Sequence, residues 1–576
     1  MLSAASRIAP FALALAMGAS LLTGCASSSS PSASAPPPAT AGPRVMASAA
    51  NPLATQAAIR VLKEGGSAVD AAVAVQAVLG LVEPQSSGLG GGAFMTFYDA
   101  KARKVVAYNG RETAPAGATP DMFLGPEGRP MPFPQAVTSG RSTGAPGAIA
   151  MLAMAQKDYG KLPWKSLFTD AEKLADDGFV VSPRLAGMIA SNGAQARGAD
   201  ARAYFTKADG KQYKAGDTLK NPAYADTLRR IAAEGPKGLL AGPVGEAIVA
   251  KVHEGLAGSL TLADMAAYKP LKSDGLCVPW RVYIVCTPPP PSGGASLLEA
   301  LKLLEKTDIA SRGPKDPVAW VQMAEAERLM YADRDKYMAD PDVVPVPTAG
   351  LLSDGYIAER AKLIGQTAGA PPQPGNPPGA PKRGMDGSLE PGGTTHMVII
   401  DADGNALSMT TTVESVFGSG RFVRGFFLNN QLTDFSLAPK DAQGLPVANA
   451  VAPGKRPRSA MSPVIVLDKD RRFVAALGSP GGPAIISYNL KAMVGVFDWG
   501  LSMQEAVSLP NLVARGNSFS GETNLFGPEL SAALQARGVT VREGQNENSG
   551  LHGIIRRPTG LEGGADPRRE GVVLSF

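Results

Sequence analysis

Residues 392–412 read GGTTHMVIIDADGNALSMTTT and mark the point where a loop gives way to a β-hairpin pattern. Residues 365–393, which lead into them, are so rich in proline and glycine that neither a helix nor a strand is expected there. THMVIID and ALSMTTTV predict two strands around a turn at residues 402–405. The pattern therefore predicts that Thr394 begins a strand and directly follows Gly393.

A threonine in this position could act as an N-terminal nucleophile if the chain cuts itself between Gly393 and Thr394. The cut would give Thr394 a free α-amine, whose pKa is about 7.7–8.0 when it is unperturbed. Such an amine can take the proton from the threonine's own hydroxyl, so that no histidine is needed. The alternative interpretation is a loop that leads into an ordinary threonine-rich strand.

The length of the hairpin loop decides which residue lies opposite Thr412. A three-residue loop, 402–404, places Thr394 there, whereas a two-residue loop, 403–404, places Thr395 there. Both registers bring a second hydroxyl group within cross-strand reach of Thr394. We expect Thr412 to orient or activate Thr394, although threonine ladders also occur in β-sheets without such a function.

The composition fits a large globular protein and does not indicate a nucleic-acid partner. The chain has 576 residues, of which 44% are hydrophobic, and its 56 basic and 51 acidic residues leave a net charge of +5. No basic run is interleaved with aromatic residues. His253, His396 and His552 lack neighbours at metal-ligand spacing, so we predict neither a metal site nor another cofactor.

Helix and strand patterns occur in groups along the chain. Residues 51–83 predict two helices broken at Gly65-Gly66, and residues 145–310 are mainly helical. Strand patterns dominate after Thr394, and helices follow at 482–497 and 502–509. This grouping favours a layered α+β fold.

The N-terminus has the pattern of a targeting segment. An apolar run ends in Leu22-Thr23-Gly24-Cys25, which resembles the bacterial lipobox. We expect residues 1–24 to be a signal peptide, Cys25 to carry a lipid, and residues 25–43 to be a flexible tether. The protein would then be exported to the periplasm and held at the outer membrane of a Gram-negative bacterium only by its lipid anchor. The alternative is a plain secretory signal with an incidental cysteine.

Cys277 and Cys286 belong to the stretch CVPWRVYIVC, which predicts a hairpin that turns at Arg281-Val282. That turn makes the two cysteines a non-hydrogen-bonded pair with a Cα separation of about 4.5 Å, which a disulfide tolerates. An exported protein meets oxidising conditions. Because Val282 is a poor residue for a tight turn, a disulfide and a pair of free thiols both remain open.

Eight separate motifs of the chain follow one another in a familiar order. They are NPLAT…GGSAVDAAVA (51–74), VEPQSSGLGGGAF (82–94), GRETAP (110–115), TPPPPSGG (287–294), TTHMVIIDADGNALSMTTT (394–412), LNNQLTDFS (428–436), GKRPRSAMSP (454–463) and GSPGG (478–482). With these motifs the chain resembles the γ-glutamyltransferases (γ-glutamyl transpeptidases) of the N-terminal-nucleophile hydrolase superfamily. The resemblance extends from about Val45 to the C-terminus.

The resemblance implies a four-layer αββα sandwich made from two fragments of one precursor. The chain would cut itself before Thr394 into a large subunit, 44–393 with its tether, and a small subunit, 394–576, which stay together. The small subunit would attack a γ-glutamyl compound such as glutathione and form a γ-glutamyl ester on Thr394. Water, an amino acid or a peptide would then resolve the ester.

The resemblance also assigns roles to individual residues. Thr394 is the implied nucleophile, Thr412 its hydrogen-bond partner, and the N–H groups of Gly481 and Gly482 hold the oxyanion. The implied binding residues for the charged γ-glutamyl head group take the α-carboxylate or the α-ammonium. They are Arg111 and Ser459 for the carboxylate, and Gln431 and Asp434, with Glu414 nearby, for the ammonium.

Three departures from the family pattern put the preferred substrate in doubt. Many relatives have Asn at the position of Glu414, and they usually have two serines where this chain has Ser459-Ala460. Relatives with a lid carry a Tyr in the loop after the motif LNNQLTDFS (428–436). In this chain that loop is residues 437–454, which contain no Tyr. A glutaryl or cephalosporin acylase on the same scaffold is therefore the second hypothesis, and a non-catalytic lipoprotein is the third.

Self-cleavage gives the first testable prediction. The mature protein should separate on a denaturing gel into pieces of 369 and 183 residues, 25–393 and 394–576, and the smaller should begin Thr-Thr-His-Met. A Thr394→Ala variant should stay whole because its nucleophile is absent. A folded wild-type protein that also stays whole would contradict the prediction and favour the non-catalytic hypothesis.

Overall fold

Two antiparallel sheets contain most of the strands, and the predicted hairpin lies in one of them. The computed structural model describes residues 42–390, 392–544 and 548–576. Its strands are β1 (Met46–Ala49), β2 (Gly92–Asp99), β3 (Lys104–Asn109), β4 (Phe179–Val180), β5 (Thr218–Leu219), β6 (Leu271–Asp274), β7 (Leu276–Trp280), β8 (Tyr283–Thr287), β9 (Thr394–Ile400), β10 (Ala406–Thr412), β11 (Phe422–Val423), β12 (Phe426–Phe427), β13 (Val464–Leu467), β14 (Phe473–Gly478), β15 (Leu512–Arg515), β16 (Ser518–Gly521), β17 (Arg542–Glu543), β18 (His552–Arg557), β19 (Gly560–Ala565) and β20 (Val572–Ser575). The first sheet has the strand order β20-β1-β9-β10-β2-β3-β6, and the second has the order β19-β18-β14-β13-β8-β7.

The described residues form α-helices, some of which cover the outer face of each sheet. They are α1 (Pro52–Lys63), α2 (Ala68–Val82), α3 (Phe133–Thr138), α4 (Ala148–Tyr159), α5 (Thr169–Asp177), α6 (Pro183–Ile189), α7 (Ala199–Tyr204), α8 (Pro222–Glu234), α9 (Lys237–Leu240), α10 (Gly242–Val252), α11 (Leu262–Ala267), α12 (Gly294–Glu305), α13 (Pro317–Tyr337), α14 (Thr348–Leu351), α15 (Asp354–Ala361), α16 (Ile485–Phe497), α17 (Met503–Ser508) and α18 (Thr523–Gln535). α2 and α4 pack on the first sheet, and α12 and α16 pack on the second. The layers are therefore helix, sheet, sheet and helix, which confirms the predicted α+β class and the αββα sandwich.

Strand β9 is hydrophobic on both faces because a layer of the sandwich lies on each side of it. Val398 and Ile400 belong to the core between the two sheets, whereas Met397 and Ile399 pack with the helices on the outer face. Thr394 follows the alternation of Val398 and Ile400, so its side chain lies at the end of the layer between the sheets.

The hairpin forms with the three-residue loop. Thr394 is the cross-strand partner of Thr412, and the N–H of Asp401 donates to the carbonyl oxygen of Asn405 over 3.1 Å. The Asp401 carboxylate accepts the N–H of Asn405 over 3.0 Å, and Gly404 takes the left-handed conformation at φ +83°. The hairpin prediction is confirmed, and the choice between the two registers is resolved.

The two helices predicted in residues 51–83 are α1 and α2, which break at Gly65-Gly66. The Asn51 side chain caps α1 by accepting a backbone N–H over 3.0 Å, and the Ser67 hydroxyl caps α2 in the same way over 3.1 Å. Gly65 takes the left-handed conformation between them, with φ +86°.

The cysteine hairpin is formed by β7 and β8, in which Cys277 is the partner of Cys286. Their Cα atoms lie 4.1 Å apart and their sulfur atoms are joined in a disulfide. The turn lies at Arg281-Val282, as the sequence predicts, and Arg281 is left-handed with φ +55°. The Arg281 guanidinium pairs with Asp498 over 3.0 Å, which holds this unfavourable turn residue in place.

The predicted targeting segment cannot be compared with the structure. Residues 1–24 and Cys25 lie outside the described residues, as does most of the tether at 25–43. Among the described helices, none has both the length and the apolar character that crossing a bilayer requires.

Candidate active site

The hydroxyl groups of Thr394 and Thr412 are in direct contact. Thr394 Oγ1 donates to Thr412 Oγ1 over 3.0 Å, and Thr412 Oγ1 donates to the carbonyl oxygen of Gly393 over 3.1 Å. The backbone N–H of Glu414 donates to Thr412 Oγ1 over 2.7 Å. Thr412 therefore connects the hydroxyl of the candidate nucleophile to the carbonyl group on the other side of the predicted cleavage point.

His396, the histidine nearest to Thr394 along the chain, forms its hydrogen bond with a residue of the core and not with the Thr394 hydroxyl. His396 lies between the sheets, where its Nδ1 pairs with Thr410 Oγ1 over 2.9 Å. Burial lowers the pKa of His396 well below its ordinary value, so the ring is neutral. Proton transfer at Thr394 must therefore use another group.

Glycines allow the backbone to approach this pair closely. A Cβ atom at Gly91 would lie 2.0 Å from the carbonyl oxygen of Thr412, and one at Gly393 would lie 2.3 Å from that of Glu414. No side chain fits at either position unless the strand end moves. The steric requirement explains both the glycine-rich stretch before β2 and the glycine before Thr394.

Gly481 and Gly482 form the turn that leads from β14 to α16. Their φ angles are +132° and +57°, which favours glycine at both positions. A Cβ atom at Gly481 would lie 2.6 Å from the ring of Tyr488. The backbone of Gly392 packs against both glycines, since a Cβ atom there would lie 3.1 Å from Gly481 C and Gly482 N.

One small cavity brings together most of the predicted site residues. Its volume is about 20 Å³, which is room for about one water molecule. In the continuous chain the cavity is thus too small for a substrate. Its lining is Arg111, Glu390, Thr394, Thr412, Glu414, Gln431, Asp434, Ser459, Ala460, Met461, Gly482 and Ile485. Gly481 lies next to this lining and is not part of it.

Arg111 and Asp434 form a buried ion pair in the wall of this cavity. Arg111 Nη2 lies 2.5 Å from Asp434 Oδ2 and also donates to the carbonyl oxygen of Arg458 over 2.7 Å. Gln431 Nε2 donates to the same Asp434 oxygen over 2.7 Å. Each charge is the other's partner, which removes the cost of an unpaired buried charge.

Glu414 adds a second carboxyl group beside Asp434. It is buried, it takes the left-handed conformation at φ +81°, and its Oε2 accepts hydrogen bonds from Ser415 Oγ over 2.5 Å and from Asn430 Nδ2. Burial raises the pKa of Glu414 well above its ordinary value, and the neighbouring charge of Asp434 raises it further. Its other oxygen, Oε1, has no hydrogen-bond partner among the described residues.

Of the other two departures from the family pattern, only the Ser459-Ala460 pair lies at the cavity. Ser459 and Ala460 both line it, and the Ser459 hydroxyl accepts the N–H of Met461 over 3.1 Å. Residues 437–454 contribute nothing to the lining among the described residues. The segment in which relatives with a lid carry their Tyr therefore does not line this cavity.

Two charged residues of the site were missed by the sequence analysis. Glu390 lines the cavity although it lies in the proline- and glycine-rich segment, and Arg569 Nη1 donates to the carbonyl oxygen of Thr394 over 2.8 Å. Neither belongs to one of the eight motifs. No local pattern predicts either residue. Glu390 lies in a stretch whose composition predicts only a loop, and Arg569 is 175 residues away from Thr394 along the chain.

Comparison with known proteins identifies the family. The sequence model of the family described as gamma-glutamyltranspeptidase matches residues 54–576. The chain belongs to this family. It is 37% identical over 538 residues to the glutathione hydrolase proenzyme of Escherichia coli K12, which covers 91% of this chain and 90% of that protein. It is also 37% identical over 488 residues to the glutathione hydrolase proenzyme of Bacillus subtilis 168, with coverage of 82% and 81%.

A solved structure shares the fold of the described sandwich over nearly its whole length. The cephalosporin acylase of Bacillus halodurans superposes with a TM-score of 0.80 at 28% identity, over 95% of this chain and 98% of that one. The γ-glutamyltranspeptidase scaffold is thus shared with a protein named for a different amide substrate. The fold alone therefore does not decide the substrate, and the cavity residues must.

The contact between Thr412 and Gly393 gives a prediction for this γ-glutamyltranspeptidase. Thr412→Val keeps the shape of the side chain but removes the donor to the Gly393 carbonyl, so self-cleavage should slow by about 10²–10³-fold. A time course on denaturing gels measures the rate. Thr411→Val is the matched control, because Thr411 is the next residue on the opposite face and donates to Gly92 O over 3.3 Å. Equal rates for the Thr412→Val protein and the wild type would exclude this role.

Proposed function

We propose that the protein is a self-cleaving γ-glutamyltransferase and γ-glutamyl hydrolase that acts on glutathione and related γ-glutamyl amides. The observation that carries the proposal is the alignment of Thr394 Oγ1, Thr412 Oγ1 and the Gly393 carbonyl beside a buried pair of opposite charges. The first part of this arrangement supplies a nucleophile, and the second recognises a zwitterionic head group.

Self-cleavage begins with attack of Thr394 Oγ1 on the carbonyl carbon of Gly393. The C–O bond forms, the C–N bond breaks, and the hydroxyl proton passes to the departing amine. Thr412 Oγ1 stabilises the negative charge that develops on the Gly393 oxygen, to which it already donates. Water then hydrolyses the ester and leaves a carboxylate on Gly393 and a free Thr394. The products are the large subunit, which ends at Gly393, and the small subunit, 394–576.

The new α-amine of Thr394 is the base of the mature enzyme. An α-amine has a pKa of about 7.7–8.0 when it is unperturbed. The guanidinium of Arg569 binds the carbonyl of the same residue at 2.8 Å, and a positive charge so close favours the neutral amine. A neutral amine can accept the Thr394 hydroxyl proton when the γ-glutamyl carbonyl is attacked.

The γ-glutamyl head group binds by exchange with the Arg111–Asp434 pair. Its α-carboxylate pairs with the Arg111 guanidinium and the Ser459 hydroxyl, while its α-ammonium pairs with Asp434, Gln431 and Glu414. Because both charges of the pocket keep a partner before and after binding, the exchange leaves no buried charge unpaired. An acyl group without the ammonium would leave Asp434 and Glu414 without this partner.

The N–H groups of Gly481 and Gly482 are proposed to hold the oxyanion of the substrate. Because Gly392 packs on these glycines in the continuous chain, the segment before the cut must leave them before a substrate can bind. Water, an amino acid or a peptide then resolves the γ-glutamyl ester on Thr394. Export and lipid attachment at Cys25 remain predictions from the sequence, supported by the lipobox pattern.

An acylase for glutaryl or cephalosporin amides is the second candidate function. It is favoured by Ala460, which lacks a hydroxyl for the α-carboxylate, and by the raised pKa of Glu414, since burial and Asp434 disfavour a second negative charge there. The likeness to a cephalosporin acylase structure is consistent with it. The buried Asp434 argues against it, since an acyl group without an amine has no positive charge to pair with this carboxylate.

A direct comparison of two chromogenic substrates tests the proposal. The self-cleaved protein should hydrolyse γ-glutamyl-p-nitroanilide with a kcat/KM at least about 100-fold higher than glutaryl-p-nitroanilide, which lacks the α-amine. Asp434→Asn should lower the value for the γ-glutamyl compound at least about tenfold. Asp441→Asn, in an external turn, is the control. A preference for the glutaryl compound would favour the acylase.

The raised pKa of Glu414 predicts how its replacement changes stability. A carboxyl group whose pKa is higher in the folded than in the unfolded state stabilises the fold below the unfolded pKa of about 4.3, and this contribution is lost as the pH rises. Glu414→Gln should therefore become progressively more stable than the parent as the pH rises above about 4.3. Denaturant unfolding of the uncut Thr394→Ala protein, with and without Glu414→Gln, measures this difference. The exposed control Glu529→Gln should show no such trend, and a flat difference for Glu414→Gln would contradict the pKa shift.

A further inference from the structure

The segment before the cleavage point carries two carboxylates into a buried group of arginines. We call residues 386–390 and 392–393 the tail, and Arg334, Arg458 and Arg515 the basic cluster. Glu390 lies 2.9 Å from Arg334 Nη2 and 2.8 Å from Arg458 Nη2. Asp386 lies 3.0 Å from Arg458 Nη2. The tail therefore supplies anions to a basic cluster that belongs to the body of the protein.

The charges of the basic cluster balance only while the tail is in place. Asp335 pairs with Arg515 over 2.6 Å and lies 3.7 Å from Arg334 and 3.8 Å from Arg458. Among the described residues that form ion pairs with the basic cluster, Asp335 is the one carboxylate outside the tail. Withdrawal of the tail would thus leave three guanidinium groups with one carboxylate.

The Glu390 carboxylate shows how strongly this environment favours an anion. Burial by itself would raise the pKa of Glu390, but the charges of Arg334, Arg458 and Arg515 outweigh it and hold the pKa below its ordinary value. Side chains of Arg334 and Arg458 are fully buried. After the tail leaves, Arg334 and Arg458 would lack a carboxylate within 3 Å, and buried guanidinium groups without a close anion are unfavourable. We therefore expect another carboxylate to take the place of that of Glu390.

The tail is arranged to leave once it is cut. Glu390 is left-handed with φ +46°, and Leu389 exposes 64% of its surface although it is apolar. Cleavage creates a carboxylate on Gly393 at the end of the cavity that Asp434 also lines, and repulsion between these two charges disfavours the position the tail holds before the cut. Departure of the tail also uncovers Gly481 and Gly482, on which it packs.

The tail and the basic cluster reach two cavities, the small one beside Thr394 and a second, larger one. Glu390 lines the first, whereas the adjacent Leu389 and Arg515 line the second, whose volume is 240 Å³. Glu522 also lines the second cavity, but Arg568 neutralises it over 2.6 Å. The tail thus connects Thr394 with the arginines. Glu390 is four residues before Thr394, and four residues span at most about 14 Å, so the basic cluster lies within that distance of the cleavage point along the tail.

We propose that self-cleavage opens a carboxylate-binding subsite at Arg334, Arg458 and Arg515, which holds the free carboxylate of the peptide that leaves or enters at Thr394. The inference rests on the proposed function, in which an amine departs from the γ-glutamyl carbonyl and an acceptor amine attacks the ester. Both amines occupy one place, because attack by the acceptor is the reverse of departure of the leaving group. A dipeptide with a free carboxylate, such as the one glutathione releases, reaches about 7 Å from that place.

Three donors that share the γ-glutamyl group and differ in the leaving group test the subsite. They are glutathione, its glycinamide, in which a neutral amide replaces the terminal carboxylate, and γ-glutamyl-p-nitroanilide. The self-cleaved wild-type enzyme should have a KM for glutathione about tenfold below that for the glycinamide. In Arg515→Gln this ratio should fall to about threefold or less, since one of three cations is lost.

Arg557→Gln is the matched control. Arg557 has the same side-chain exposure as Arg515, 31%, and pairs with one carboxylate, Glu562, over 3.2 Å, but it lies on β18 away from the tail. Its KM ratio should equal that of the wild type. Self-cleavage on a gel and the melting temperature report whether each variant is folded.

A second measurement needs no variant. In the wild type, the KM ratio between the glycinamide and glutathione should shrink as salt rises from about 0.05 to 0.5 M, because the salt screens the partly open cluster. A wild type that hydrolyses the anilide but binds glutathione and its glycinamide equally would overturn the subsite and leave the proposed function intact. A folded Arg515→Gln protein with the wild-type ratio would also overturn it. A self-cleaved wild type that hydrolyses none of the three donors would overturn the proposed function itself.

Discussion

The cross-strand pairing of Thr394 with Thr412 is the constraint on which the rest of the site depends. Side chains alternate along a strand, so a shift of one residue in the pairing would turn Thr394 away from the layer between the sheets. The same shift would move Val398 and Ile400 out of the inter-sheet core, to which they belong. Hydrophobic packing of the sandwich therefore enforces the register that the chemistry needs. Gly91 completes this arrangement, since only a glycine lets β2 approach Thr412 closely enough.

Buried arginines near Thr394, the proposed nucleophile, have carboxylate partners in the uncut chain. Arg111 and Asp434 neutralise each other in the wall of the cavity, and Glu390 neutralises Arg334 and Arg458 in the uncut chain. Each pair can be exchanged for a group of matching charge on a substrate without leaving a bare ion behind. In the uncut chain the Glu390 carboxylate thus occupies the place proposed for a substrate carboxylate, and Glu390 also lines the small cavity beside Thr394. Cleavage would then produce the nucleophile and vacate its surroundings in one event.

Substrate choice within this scaffold depends on few groups. The chain resembles proteins named glutathione hydrolase in sequence and superposes closely on one named cephalosporin acylase. A scaffold that carries both kinds of chemistry leaves selection to the lining of the cavity, where Glu414 and Ala460 depart from the usual pattern. Glu414 is held by Ser415 and Asn430 and retains one unpartnered oxygen, which suits an ammonium group. In the proposed binding mode Ala460 offers the substrate carboxylate no hydroxyl, so the ammonium side should contribute more to selectivity here.

The sequence by itself determined those parts of the protein that local pattern encodes. Alternating hydrophobic residues and a glycine-containing turn predicted the hairpin, and eight ordered motifs predicted the family and the layered fold. The spacing of Cys277 and Cys286 predicted that they lie opposite each other in a hairpin, but it left open whether they form a disulfide. Between the two hairpin registers the sequence left a choice, because both loop lengths suit the turn residues. Only the tertiary structure decided that choice, through the packing of the two sheets. It alone also revealed Glu390, Arg569 and the basic cluster, because these groups come from segments far apart along the chain or from a stretch whose composition predicts only a loop. Charged residues that come together only in the folded protein form no periodic pattern in the sequence, since the packing of the layers and not the neighbouring residues along the chain decides their partners.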